Sequence, residues 1–143
     1  MKIVTATLKD KYRTEIFMDK HQLTADEPPT AGGDDLGPNP YDLVMASLAA
    51  CTAMTVRWYA ERKQLDLTGC EVTLEYDRIH AKDCAECDQS DPLKRIEHIK
   101  RTVEISGRFS DEEREKLKSI PGKCPVSRTL KNGLVITDEV TYV

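Results

Sequence analysis

Residues 43–56 carry no charge, in a chain where 32% of residues are charged, and Cys51 lies within that run. Such a stretch loses free energy wherever water covers it, so it must be a core element. Read as a helix with Cys51 as origin, it places Val44, Ser47, Leu48, Met54, Thr55 and Trp58 on the cysteine's side. Ala46, Ala49, Ala50 and Ala53 fall on the other side. A helix apolar on one face and alanine-rich on the other is expected to be buried all round. Only 39% of the chain is hydrophobic, a modest share for a self-sufficient domain. The small residues suit close helix-on-helix packing with a second copy, and two-fold homodimers are the commonest oligomers.

The helix is expected to start at Asn39 or Pro40, since asparagine caps well and proline is tolerated in the first turn. Asp42 then sits near the positive helix end. Arg57, Glu61, Arg62 and Lys63 mark its emergence into solvent. Upstream, residues 1–8 and 12–26 alternate as strands with a turn at Asp10-Lys11, and the prolines and glycines of 27–38 make a loop. Downstream, residues 70–76 and 96–105 alternate, the second with Ile99, Val103 and Ile105 inward and Arg101 between them. Ser110 and Glu113 form a capping box for a helix that Pro121-Gly122 stops. A shorter helix is predicted from Pro125 to Asn132-Gly133, and a closing strand over 134–143. Segregated strands and helices of this kind predict an α+β fold in a single domain spanning 1–143.

Net charge is −4, from 21 basic and 25 acidic residues, with no basic run able to neutralise a row of phosphates. Nucleic acid is therefore not an expected partner. The uncharged run is shorter than the ~20 residues of a membrane span, so no membrane role is expected. The alternating N-terminus lacks the apolar core of a signal peptide, and the expected location is the cytoplasm.

Five cysteines cannot all pair within one chain. In a reducing compartment they are expected to be buried, catalytic or metal-bound. Cys124 precedes Pro125 at a helix start, where the helix dipole and neighbouring Lys123 and Arg128 favour thiolate; the alternative is a small buried hydrophobe. Cys51, in mid-helix among apolar residues, is expected to have a raised pKa. To serve as a nucleophile it needs a cation from another segment, with Arg13, Arg57 and Arg128 as candidates; a purely structural role is the alternative.

His80, Cys84 and Cys87 form a second constellation. Cys-x-x-Cys with a nearby histidine can supply three ligands to a structural zinc. A redox couple and a solvated loop with two incidental thiols are the other readings. Cys70, at a strand start, reads as a packing residue.

The run Gly37-Pro38-Asn39-Pro40-Tyr41-Asp42-Leu43-Val44, continued by Leu48-Ala49-Ala50-Cys51-Thr52 and, far downstream, by Cys124-Pro125-Val126-Ser127, resembles the OsmC/Ohr family. These are osmotically induced and organic-hydroperoxide-resistance proteins. Ala25-Asp26-Glu27-Pro28, Gly32-Gly33 and the segment from Arg78-Ile79-His80 to Cys87 are similar to its OsmC-like branch. The resemblance implies antiparallel sheets wrapping a long central helix in an intertwined homodimer. It also implies thiol peroxidase chemistry without a cofactor, in oxidative stress defence. Cys51 would attack an organic hydroperoxide and become a sulfenic acid, Cys124 would resolve it to a disulfide, and a dithiol such as a dihydrolipoyl group would restore both. The family's peroxidases carry a glutamate one turn into the helix, paired with an arginine from the N-terminal strands. Here Tyr41 stands at that position with Asp42 beside it, and Arg13 matches the arginine. The departure at Tyr41 leaves an alternative, a non-enzymatic stress-related protein of the same fold that holds an apolar ligand or zinc.

Overall fold

The computed structural model describes residues 1–143, which divide into two compact units, Met1–Ala46 and Ser47–Val143.

The first unit holds a three-stranded antiparallel meander, β1 (Thr5–Leu8), β2 (Thr14–Met18) and β3 (His21–Ala25), in the order β1-β2-β3. The second expected strand, residues 12–26, is therefore two. Met18 pairs with His21 across a two-residue turn at Asp19-Lys20, and Asp19 adopts φ 54°. Aspartate tolerates the left-handed region better than most residues, which lets the hairpin close without glycine. The loop that follows folds around buried Asp26, whose carboxylate accepts from the backbone N–H groups of Glu27 (2.8 Å), Asp34 (3.2 Å) and Leu36 (3.2 Å). Two glycines permit this. A Cβ at Gly33 would lie 1.8 Å from the Glu27 carbonyl oxygen, and one at Gly37 would lie 2.0 Å from that of Thr24. Burial pushes the Asp26 carboxyl up, but the three backbone donors outweigh it and hold the group below the ordinary aspartate range.

The boundary between the units falls within the long helix α1 (Pro40–Lys63). Its start is a reciprocal cap: the Asp42 N–H donates to Asn39 Oδ1 at 2.9 Å, and the Asn39 N–H donates to Asp42 Oδ2 at 3.0 Å.

In the second unit α1 buries the stripe Leu48, Thr52, Val56 and Ala60, one residue per turn. The expectation of burial all round is corrected here, because Met54 is 69% and Trp58 58% exposed. Thr52 can join the buried stripe because its hydroxyl donates to the Leu48 carbonyl at 2.7 Å. The helix is long and apolar enough to pass a length-and-composition test for a membrane span. Its inner stripe nevertheless packs as a core: Val56 and Ala60 cluster with Leu67, Leu117 and Ile120, flanked by Tyr59, Ile105 and Phe109.

Strands β4 (Asp66–His80) and β5 (Arg95–Arg108) form a long antiparallel hairpin, longer at both ends than the alternation suggested, with an irregularity between Leu67 and Gly69. Ile99, Arg101, Val103 and Ile105 share its more buried face. Arg78 and Glu97 face each other across the ladder and bond at 2.6 Å, and Tyr76 donates to the same carboxylate. Helix α2 (Asp111–Lys118) carries the expected capping box, with the Ser110 N–H to Glu113 at 2.8 Å and the Glu113 N–H to Ser110 at 3.2 Å. A turn at Pro121–Lys123 leads to helix α3 (Pro125–Asn132). The closing strand expected over 134–143 is not formed. These residues are exposed and pair with no strand of the chain. Antiparallel sheets with helices make the fold α+β.

Candidate active site

Cys51 projects from α1, and Cys124 occupies the N-cap of α3, where its sulfur accepts from the Ser127 N–H at 3.5 Å. Folding brings these two sulfurs, distant in sequence, within hydrogen-bonding reach of each other, and both are free thiols. Pro125 in the first turn of α3 donates no N–H, so the donors of Val126 and Ser127 are the ones that reach the sulfurs.

The two thiols differ in environment. Cys124 has 0% exposure, yet its pKa is lowered. Burial acts upward on it, and the Cys51 thiol, the Ser127 N–H, the neighbouring Thr52 hydroxyl and the Val126 N–H more than offset that. Cys51 is pushed up, first by burial and then by its bond to Cys124, with the Val126 N–H and Thr55 acting the other way. The pair thus places its first negative charge on the inner sulfur, with Cys51 as proton donor to it.

Access is arranged the other way round. Cys51 is partly exposed and lines an open pocket of about 690 Å³. Met54, Trp58, Tyr59 and Ile120 supply apolar wall, and Lys123 and Arg128 supply cations. A larger groove of about 840 Å³, bordered by Val103, Phe109 and Arg114, has no thiol in its lining.

Thr52 ties the pair to a cation that the sequence reading passed over. Its fully buried hydroxyl oxygen accepts from Arg101 Nη1 at 3.0 Å, and the same hydroxyl is within hydrogen-bonding reach of the Cys124 sulfur. A charged residue on an otherwise apolar strand face needs a polar partner, and that was the available signal.

The other sequence candidates have other surroundings. Arg57 lies near Cys70, where it partly opposes the upward push of burial on that thiol. Arg128 is in the Cys51 pocket. Arg13 belongs to the first unit, next to the β1–β2 turn, and its buried Nε has no hydrogen-bond partner. The Asp42 carboxylate is engaged in capping α1. The zinc set of His80, Cys84 and Cys87 is replaced in the structure by a Cys84–Cys87 disulfide, and no three His, Cys, Asp or Glu residues gather as a metal site. A bridged pair has no thiolates to offer a metal.

The sequence model of the OsmC-like protein family matches residues 32–139. The chain belongs to the OsmC-like family. No curated protein matches it. Among solved structures, an OsmC-like protein from Mycoplasma pneumoniae is 20% identical, with a TM-score of 0.69 over 92% of this chain and 87% of its own. An organic hydroperoxide resistance protein from Legionella pneumophila is 21% identical, with a TM-score of 0.64 over 92% and 89%. An OsmC-like protein of unknown function from Vibrio cholerae is 12% identical, with a TM-score of 0.64 over 90% and 92%. At these identities the likeness is one of fold.

Proposed function

We propose that this OsmC-like chain is a thiol-dependent peroxidase that reduces organic hydroperoxides at the Cys51–Cys124 pair, in oxidative stress defence in the cytoplasm. The observation that carries the reading is the adjacency of two free thiols, within hydrogen-bonding reach of each other, the outer one opening into an apolar pocket. As a hydroperoxide arrives, Cys124 takes the Cys51 proton and the Cys51 thiolate attacks the outer peroxide oxygen. The O–O bond breaks, the alkoxide leaves as alcohol with the proton held at Cys124, and Cys51 becomes a sulfenic acid. The Cys124 thiolate then attacks that sulfur and releases water with a proton from solvent. The products are a disulfide, one alcohol and one water, and both electrons come from sulfur, so no metal or organic cofactor is needed. An external dithiol, of which a dihydrolipoyl group is one, returns the pair to thiols by two exchanges.

The pocket's apolar wall suits an alkyl or aryl hydroperoxide better than hydrogen peroxide. The exposed Met54 and Trp58 suit a homodimer in which a second copy covers them. The deciding experiment maps the peptides after one equivalent of cumene hydroperoxide. A Cys51–Cys124 link and one equivalent of cumyl alcohol are expected, and intact peroxide with unlinked cysteines would overturn the reading.

One observation favours a second reading, a non-enzymatic binding protein. The solvent-accessible sulfur, Cys51, is the one whose pKa is raised. That reading expects an apolar ligand retained without turnover in the same assay.

A further inference from the structure

The β4–β5 hairpin closes through residues 81–94, where Cys84 and Cys87 are bridged, with Cα atoms 5.4 Å apart at a sequence separation of 3. The loop is held by hydrogen bonds that do not involve the sulfurs. The Ala81 N–H donates to the Lys94 carbonyl and the Lys82 N–H to that of Pro92, both at 2.9 Å. The Cys84 N–H donates to the Ala81 carbonyl at 3.1 Å and the Cys87 N–H to that of Cys84 at 3.3 Å. Gln89 locks the centre: its two Nε2 protons are shared among the carbonyls of Ala81 (2.7 Å), Cys84 (3.0 Å) and Cys87 (3.1 Å). The Asp88 carboxylate accepts from both the N–H and the hydroxyl of Ser90 at 2.9 Å.

Two consequences follow. A bridge across so few residues removes much less unfolded-state entropy than a long-range one, because the effect grows with the logarithm of loop length. The loop also has the bonds to keep both sulfurs adjacent after the bridge opens. Cys84 and Cys87 are only half-buried, so a small thiol can reach them. The segment is acidic, with Asp83, Glu86, Asp88 and Asp91 against Lys82 and Lys94. An anionic thiol therefore meets like charge there.

We propose that Cys84–Cys87 is a dithiol–disulfide exchange site, separate from Cys51 and Cys124, that takes electrons from neutral or cationic dithiols. A donor thiolate attacks one sulfur of the bridge, the S–S bond breaks, and a mixed disulfide forms. The donor's second thiolate displaces the protein sulfur and the donor leaves as its own disulfide. Two electrons and two protons have moved to Cys84 and Cys87. The step is independent of the peroxidase reading.

The full-length protein is tested by differential alkylation and trypsin digestion. The peptide 83–94 carries both cysteines of the bridge and neither Cys51 nor Cys124. Under native conditions, millimolar dithiothreitol is expected to convert that peptide from bridged to doubly alkylated with the circular dichroism unchanged, and oxidised dithiothreitol to restore the bridge. Per thiolate, 2-mercaptoethanol is expected to open it about tenfold faster than glutathione at low salt, the gap narrowing at about 0.5 M salt. The double variant Cys51→Ser/Cys124→Ser should exchange at the same rate. A bridge that opens only in denaturant, or does not re-form, would show a staple and overturn the proposal. Equal rates per thiolate for the two monothiols at low salt would overturn the donor class, and lost exchange in the double variant would overturn the site's independence. Where that variant does not fold, the wild-type peptide map decides.

Discussion

Arg101 on β5 donates from Nη1 to the hydroxyl oxygen of Thr52 on α1 at 3.0 Å, one residue from Cys51 in sequence and within hydrogen-bonding reach of Cys124. The cation holds that hydroxyl in place beside the thiol pair. With Arg101 donating to it and the Leu48 carbonyl accepting at 2.7 Å, Thr52 is fixed in a site with 0% exposure. Replacing Arg101→Gln is expected to lower kcat/KM for cumene hydroperoxide about tenfold, the value of one charge-assisted hydrogen bond. Arg101→Lys should recover part of the loss. Thr52→Val, which leaves the Arg101 donor facing a methyl group, should cost about 1–3 kcal/mol in chemical denaturation. An unchanged pH–rate profile in Arg101→Gln would reduce Arg101 to a packing role.

The two cysteines have separable chemical fates. In Cys124→Ser, Cys51 must lose its proton to solvent, so its attack should slow; one alcohol per chain should still be released in a single turnover, and the sulfenic acid should persist long enough for dimedone to label Cys51. In Cys51→Ser neither alcohol nor label should form. Wild-type peroxide consumption by Cys51→Ser would sink the assignment of the attacking sulfur. Mass spectrometry of the labelled peptides reads both outcomes.

Much of this site was legible in the sequence, and the reasons are local. An uncharged run must become a core helix, and a serine three residues before a glutamate caps the next helix whatever surrounds it. A cysteine before a helical proline meets the N–H groups of the first turn. What escaped depends on partners that no spacing reveals. The stripe of Leu48, Thr52, Val56 and Ala60 is buried because the Thr52 hydroxyl finds the Leu48 carbonyl and Arg101. By hydropathy alone, Met54 and Trp58 were better candidates for burial. Residues 134–143 alternate like a strand, but alternation gives no ladder. Arg101 stood out as a charge on an apolar face without any indication of its partner on α1.

The thiols also predict how stability varies with pH. Cys124 has a folded-state pKa below its ordinary value near 9.0, so folding favours its thiolate. That contribution is present above the unfolded pKa and is lost as pH falls through the folded one. Cys51 and Cys70 are raised, so their contribution is full below the ordinary value near 9.0 and is lost as pH rises through their folded values. The thiol-dependent part of stability should therefore climb with pH toward the ordinary thiol range and decline beyond it. Urea denaturation from pH 7 to 10.5 reads the curve. Cys70→Ser should flatten the alkaline limb and leave the neutral limb unchanged, and the opposite pattern would contradict the assigned directions.

Acid should act first on the other unit, through Asp26. Its carboxylate holds the backbone N–H groups of Glu27, Asp34 and Leu36, and they depress its pKa against the upward push of burial. A depressed carboxyl contributes stability that is present above the unfolded value, near 3.8, and lost as pH falls through the folded one. Protonation turns an acceptor of three bonds into a group that must donate one proton among N–H groups. The loop over 27–38 should therefore open in acid while the second unit keeps its structure. Amide exchange, corrected for intrinsic rates, is expected to accelerate at Asp34 and Leu36 below about pH 4 and not at Val56 or Leu117. Asp26→Asn should show the same selective acceleration already at pH 7, since a neutral amide oxygen is a weaker acceptor and its NH₂ group faces other donors. If Asp34 and Leu36 stay protected in Asp26→Asn, the loop's backbone bonds, such as Asp35 N–H to the Glu27 carbonyl at 3.1 Å, suffice and the carboxylate is dispensable.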